Sequence, residues 1–433
     1  MGPPLRPNRV TLGRKEAASR KLRARWLVIA ALMALIALGL WLGSAYTWAS
    51  YHYRRAQRHL ARHELTEALA DFALCRKVWP SDTETCLLAA RTARRARVYD
   101  DARRLLQMYK NLGGDPVAIE LEQDLARAQR GELKGLEKSL LAAAQKETEE
   151  SPLIWEALSQ GYMETYRWPQ ASHCLTKLID LEPQNAEAFL ERGWVRENSN
   201  HLAEAITDFK QAATIDPDNA RARLSLAGVC LKASHPNDAA EQYEWLRQRD
   251  PENPAVLLGL ARCRRDLGNI DEARSLLDRL LVISPKDPRA LGERGKVGLL
   301  DGDAVRAEAM LVQSLAFDPR DREVNYDYYL CLSRLGKEQE ARDQRAKLTQ
   351  ITEDADRFNR LLADYAARPS DSGLICEIAE IMLRNNRTTE GEIWLRNVLE
   401  NDPNYKKAHR LLADYYEKRG DIRKALQHRT AAQ

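Results

Sequence analysis

Residues 186–219 read AEAFLERGWVRENSNHLAEAITDFKQAATIDPDN, and the features of this stretch recur along the chain at a fixed interval. Pro217 is one of five prolines, Pro183, Pro217, Pro251, Pro285 and Pro319, each 34 residues from the next. Twelve residues before each proline stands an alanine: Ala171, Ala205, Ala239, Ala273 and Ala307. Ala341 continues that ladder, and Ala68 stands twelve before Pro80. Twenty-four before each proline is a small residue, Ser159, Gly193, Ala227, Ala261 or Gly295, and eight before is a large apolar one, Leu175, Phe209, Tyr243, Leu277 or Leu311. Two antiparallel helices approach closely only where small side chains face each other; the large residue fills the adjoining hole, and the proline ends the second helix. Asn200, Gly268, Gly302, Gly336 and Gly420 share the position between the helices, where positive φ is needed. Asn185, Asn219, Asn253, Asp287 and Asp321 follow the prolines as caps for the next helix.

In this ladder the chain resembles the tetratricopeptide-repeat family, whose period is 34 residues. Gly193, Ala205, Phe209, Ala212 and Pro217 stand on its signature positions. The resemblance covers about 49–433, with units at 49–82, 83–116, a degenerate 117–151, 152–185, 186–219, 220–253, 254–287, 288–321, 322–355, 372–405 and 406–433. It implies an all-α fold: a right-handed superhelix of antiparallel helix pairs, with degenerate repeats over 51–151, a regular array over 152–353 and further repeats over 372–433. Unit 322–355 departs from the pattern, with Tyr329 at the small position, Arg345 at the large apolar one and Glu353 in place of proline. An extra helix and a kink or break are expected over 354–371.

Ahead of the repeats, Trp26 to Tyr51 reads WLVIAALMALIALGLWLGSAYTWASY, with no ionisable group except Tyr46 and Tyr51. Roughly 20 apolar helical residues span a bilayer's ~30 Å hydrocarbon core, so residues 26–50 are expected to form a single transmembrane helix. Trp26 at one end and Trp41, Tyr46, Trp48 and Tyr51 at the other suit the two interfaces. A cleavable signal peptide has a shorter apolar region, ~7–15 residues. Residues 1–25 carry eight Lys/Arg against Glu16 alone. The positive-inside bias therefore places this tail in the cytoplasm and the C-terminal body across an inner (cytoplasmic) membrane, although Arg54, Arg55, Arg58 and Arg62 follow the span. Residues 51–63 are expected to carry the membrane helix directly into the first repeat.

Of the 433 residues, 44% are hydrophobic and 30% charged, the balance of a folded chain. The net charge of +4 resides in the N-terminal tail, and the near-neutral body lacks the coherent basic surface that nucleic acid requires. Residues 51–110 are locally basic, which suits anionic head groups or simply solvated arginine-rich helices. The seven cysteines form no CxxC and read as small buried hydrophobes, with Cys75 and Cys86 placed to pair across adjacent helices if exported. No phosphate loop, nucleophile elbow or dinucleotide turn occurs, and His63-Glu64 opens a zinc-protease motif whose second histidine position holds Glu67. His52, His59 and His63 could share a helix face around a metal, but the first two occupy packing positions of the repeat. The expectation is therefore no enzyme activity, no metal and no cofactor.

The resemblance further implies a concave groove lined by the first helix of each repeat, at repeat positions 2, 5, 9, 12 and 13. These are Glu156, Glu164, Glu187, Trp194, Glu197 and Asn198, followed by Arg221, Lys232, Arg262, Arg265, Arg289 and Lys296. An acidic stretch thus gives way to a basic one. The basic stretch is expected to engage carboxylates of an extended peptide, with Trp194 as an apolar anchor, against the alternative of a solvated face of mixed charge. The carboxylate-clamp subclass is not supported, since position 5 holds Glu156, Leu190, Leu224 and Leu258. The expected function is a membrane-anchored scaffold for protein or peptide partners in envelope or membrane-complex assembly. The alternatives are an import or sorting receptor with cytosolic repeats, or a non-catalytic subunit of an enzyme complex.

Overall fold

The computed structural model describes residues 26, 32–33, 39–41 and 43–433. The tail 1–25 and most of the run expected to cross the membrane lie outside them. No helix among the described residues is long and apolar enough to cross a membrane.

The described residues form helices and turns with no strand, in two compact units, 1–123 and 124–433. In the first unit, α1 (43–61) and α2 (Leu65–Val78) form one hairpin, and α3 (Thr83–Arg95) and α4 (Tyr99–Asn111) the next. The helix α5 (Pro116–Gln129) spans the division and is followed by the short α6 (Glu137–Ala144). The second unit continues through α7 (Ser151–Glu164), α8 (Trp168–Leu181), α9 (Ala186–Asn198), α10 (Leu202–Ile215), α11 (Ala220–Lys232) and α12 (Pro236–Arg249). Then come α13 (Pro254–Asp266), α14 (Ile270–Ile283), α15 (Pro288–Leu300), α16 (Ala304–Phe317), α17 (Arg322–Arg334), α18 (Glu338–Ala367), α19 (Ser372–Arg384), α20 (Thr388–Asn401), α21 (Lys406–Lys418) and α22 (Ile422–Ala431).

The sequence ladder becomes the hairpin interior. Ala68, Ala171, Ala205, Ala239, Ala273 and Ala307 are completely buried, and Ala341 nearly so. A β-carbon built on Gly193 would lie 2.7 Å from the Phe209 ring, and one on Gly295 would lie 2.7 Å from Leu311. Small and large positions of one repeat therefore interlock. Cap oxygens accept from backbone N–H groups two or three residues on: Asn185 from Ala188 at 3.0 Å, Asn219 from Ala222 at 3.0 Å, Asp321 from Val324 at 3.0 Å. The position between helices has positive φ at all five expected residues. It is also positive at His63, Arg97, Gly131, Tyr166, Ser234 and Asn386, which share that repeat position.

Residues 354–367 do not form a separate helix. They extend α18, which runs unbroken for 30 residues from Glu338 to Ala367. With Glu353 where other repeats carry proline, nothing stops the second helix until Arg368-Pro369. This long helix brings the last repeats back to the start of the same unit. Asn397 of α20 donates its side-chain amide to the Thr165 carbonyl at 2.6 Å. Trp394, 2% exposed, lies 4.8 Å from the Tyr365 ring and 6.4 Å from that of Tyr166.

In the first unit, α1 continues the apolar run into the first hairpin without a break, burying Ala49, His52 and Ala56. His52 and His59 are turned to carboxylates. Asp71, fully buried, meets His52 Nδ1 at 2.7 Å and Arg55 at 2.5 and 2.7 Å, and His59 contacts Glu64. No group of three or more His, Cys, Asp or Glu among the described residues is arranged to hold a metal. Cys75 and Cys86 are unpaired buried thiols, donating to the carbonyls of Ala49 at 3.4 Å and Leu105 at 3.3 Å. Burial pushes the Cys75 thiol up to about 11.

Candidate functional site

First helices of successive repeats, α9, α11, α13, α15 and α17, touch one another directly as well as packing on their own second helices. They form the inner layer of the second unit. The residues expected at repeat positions 2 to 13 are distributed along this layer.

The expected basic residues are present there, but the fold supplies most of them with acids from a neighbouring repeat. Arg221 pairs with Glu187 at 2.8 Å, and Lys232 pairs with Glu197. Arg262 meets Glu293 at 2.7 Å, and Arg265 meets the same carboxylate as well as Asp266 at 2.7 Å. Lys296 lies 3.9 Å from Glu323, and Arg289 lies 3.8 Å from Asp287 at its own helix start. The acidic and basic stretches of the sequence therefore interleave. Because one repeat stacks on the next, charges about 34 residues apart in sequence become neighbours in space.

Four of these cations, Lys232, Arg262, Arg265 and Arg289, converge on a recess of about 440 Å³ between α11, α13 and α15. Its floor is apolar, formed by Leu224, Leu231, Leu258 and the Tyr243 ring. Gly259 lies beneath that ring: a β-carbon there would meet Tyr243 at 2.1 Å, so glycine lets the ring lie across α13. Arg289 and Arg262 remain partly exposed, whereas Arg265 is largely buried against Glu293. Asp327 of α17, 7% exposed, stands nearby with its carboxyl pushed up to about 6. Burial is the main cause; Glu293 and Glu323 add to it, while Lys296 and Arg265 oppose it. The recess thus presents apolar surface bordered by both signs of charge.

Trp194, Arg221 and Lys296 fall outside this recess. Trp194 is 44% exposed, its ring edge-on to Trp168 at 5.3 Å. Trp168 lines a second cavity of about 580 Å³, bounded by α8, α9 and the turn after it, and the end of α18. Tyr365 and Leu362 form its far wall, with Arg196, His201 and Glu204 as its charged or titratable members. The sequence reading missed this cavity, because its walls come from residues some 160 positions apart with no repeat relating them. It also missed Gln160 and Glu191, which stand on the inner face beside Glu156 and Glu187.

Tetratricopeptide-repeat family profiles match residues 156–220 and 231–292, so the chain carries tetratricopeptide repeats. No curated protein matches the sequence. Among solved structures, the type IV pilus biogenesis factor PilW is 20% identical, with 47% of this chain and 94% of that one aligned at a TM-score of 0.41. YrrB, described as a tetratricopeptide-repeat protein with an unusual peptide-binding site, is 17% identical over 43% of this chain and 96% of its own, at 0.37. A chain of the Cut9–Hcn1 hetero-tetramer is 17% identical over 85% of this chain and 76% of its own, at 0.40.

Proposed function

We propose that the protein is a non-catalytic scaffold that captures an extended segment of a partner protein along the first helices of its second unit. The observation that carries this reading is the recess between α11, α13 and α15. There an apolar floor of leucines and Tyr243 is bordered by Lys232, Arg262 and Arg289. Helical hairpins stacked in a row expose a long inner face, and that face offers one binding position per repeat. The cations are held in place by neighbouring carboxylates, so they are pre-oriented and lose little freedom when a partner docks.

Membrane attachment through residues 26–50 is part of the same proposal. Its supports are the apolar run, the eight basic residues before it, and the unbroken α1 that joins its end to the first repeat. The proposed arrangement is a single pass in an inner membrane, with the tail cytoplasmic and the repeats extracytoplasmic, in the assembly of envelope or membrane complexes. Protease digestion of intact spheroplasts is expected to spare residues 1–25 and remove the body once the outer barrier is opened. Protection of the body under those conditions would reverse the topology.

The scaffold reading is tested by replacing Ser225 on the inner face, and separately Val282 on a second helix, with a photo-crosslinking amino acid in the full chain. The expected outcome is a discrete crosslinked partner from position 225 and none from 282. Equal products from both, or none from 225, would overturn it.

A further inference from the structure

At one point of the inner face the fold gathers hydrogen-bond acceptors. α7 contributes Glu156 and Gln160, four residues apart and so on one helix face, and α9 contributes Glu187 and Glu191 in the same relation. Gln160 Nε2 donates to Glu191 Oε1 at 3.1 Å, which joins the two pairs. Gln160 is 4% exposed, and its Oε1 is buried with no hydrogen-bond partner. Burying an amide oxygen without a donor opposes folding, so an N–H group brought to Gln160 Oε1 from a partner would be favoured. Among the described residues no Lys, Arg or His stands within ion-pair distance of Glu191. Arg221 of α11 reaches only the neighbouring Glu187, at 2.8 Å, and its own side chain stays 63% exposed.

We infer that this cluster binds a cationic side chain, an arginine guanidinium or a lysine ammonium, presented by the partner that lies along the inner face. Such a group has N–H donors and no acceptor, which is the complement of Gln160 Oε1 and the surrounding carboxylates. The inference rests on the scaffold reading above and adds the chemistry of one contact. Burial, then Glu187 and Glu156, push the Glu191 carboxyl up to about 8, against the opposing N–H of Gln160 and charge of Arg221. At neutral pH Glu191 therefore keeps its proton when no cation is bound. A bound cation favours the carboxylate, and the proton passes from Glu191 to the buffer. Binding is thus linked to proton release and tightens as pH rises toward the Glu191 value.

The test uses the full chain in detergent and fluorescent dodecapeptides that are identical except for one central residue, arginine or its neutral isostere citrulline. The arginine peptide is expected to bind at least tenfold tighter at pH 8. Its affinity should rise about threefold per pH unit between 6.5 and 8, below the tenfold-per-unit limit for one released proton. Glu191→Gln, nearly isosteric, should reduce the preference for arginine at least threefold and flatten the pH profile. Glu187→Gln should lower the preference while leaving the pH profile sloped. Equal binding of the two peptides, or an unchanged slope in Glu191→Gln, overturns the cation site and leaves crosslinking from Ser225 as the separate judge of the scaffold reading.

Discussion

The Asn397 side-chain amide donates to the Thr165 carbonyl at 2.6 Å, joining residues 232 positions apart. Around this bond the Trp394 ring lies tilted against those of Tyr365 and Tyr166, so the C-terminal hairpins of the second unit close back on its first complete one. Asn397→Ala is expected to cost about 1 kcal/mol, the worth of one hydrogen bond. Trp394→Ala removes a buried ring and is expected to cost about 3–5 kcal/mol. Both should speed amide exchange over residues 165–168, and small-angle scattering should show a larger radius for Trp394→Ala. An unchanged radius and unchanged exchange there would show that the closure does not persist in solution.

Gly193 and Phe209 interlock within one hairpin, and a β-carbon at 193 has no room 2.7 Å from the ring. Gly193→Ala is expected to destabilise by about 1–3 kcal/mol through overpacking. Phe209→Leu in the same chain should recover part of that loss. The check is a double-mutant cycle in denaturant; simple additivity would mean that the two positions do not oppose each other.

Ser234 adopts a φ of +62°, a left-handed conformation that other repeats give to glycine at Gly268, Gly302 and Gly336. The strain on an L-residue there is roughly 1–2 kcal/mol, offset in part by the greater unfolded-state freedom of glycine. Ser234→Gly is therefore expected to stabilise by about 1 kcal/mol. A loss of stability would indicate that the hydroxyl makes a contact of greater value.

Burial raises the Asp327 carboxyl from 3.8 to about 6 in the folded chain. Between those values the native state holds a proton that the unfolded state has released, so this group lowers stability progressively as pH climbs from 3.8 to 6. Asp327→Asn should stabilise the protein at pH 7 and have little effect at pH 3.5. Melting temperatures at the two pH values provide the check, and a gain confined to the acid side would reverse the assignment.

The hairpin interior was legible in the sequence because its determinants recur. Ala205 and Phe209 occupy their positions in unit after unit, and a 34-residue period carries its own evidence. Much of the site was not. Tyr166 and Ser234 take the same left-handed turn as Gly268, but only glycine and asparagine advertise it. The pairing of Arg221 with Glu187 and of Lys232 with Glu197 depends on stacking that brings residues 34 and 35 positions apart into contact. Read along the chain, those charges form separate acidic and basic blocks; read across the stack, they neutralise one another. The closure at Thr165 and the fusion of residues 354–367 into α18 were hidden for a further reason: neither is periodic.

Hydrogen exchange of the full chain with and without its crosslinked partner tests most directly the claim that the first helices form the capture surface. Protection is expected along α7, α9, α11, α13 and α15, strongest around Leu224, Leu258 and Arg262, with α10, α12, α14 and α16 exchanging at their free rates. Protection confined to those second helices, with the recess of Tyr243 and Arg289 unchanged, would contradict it.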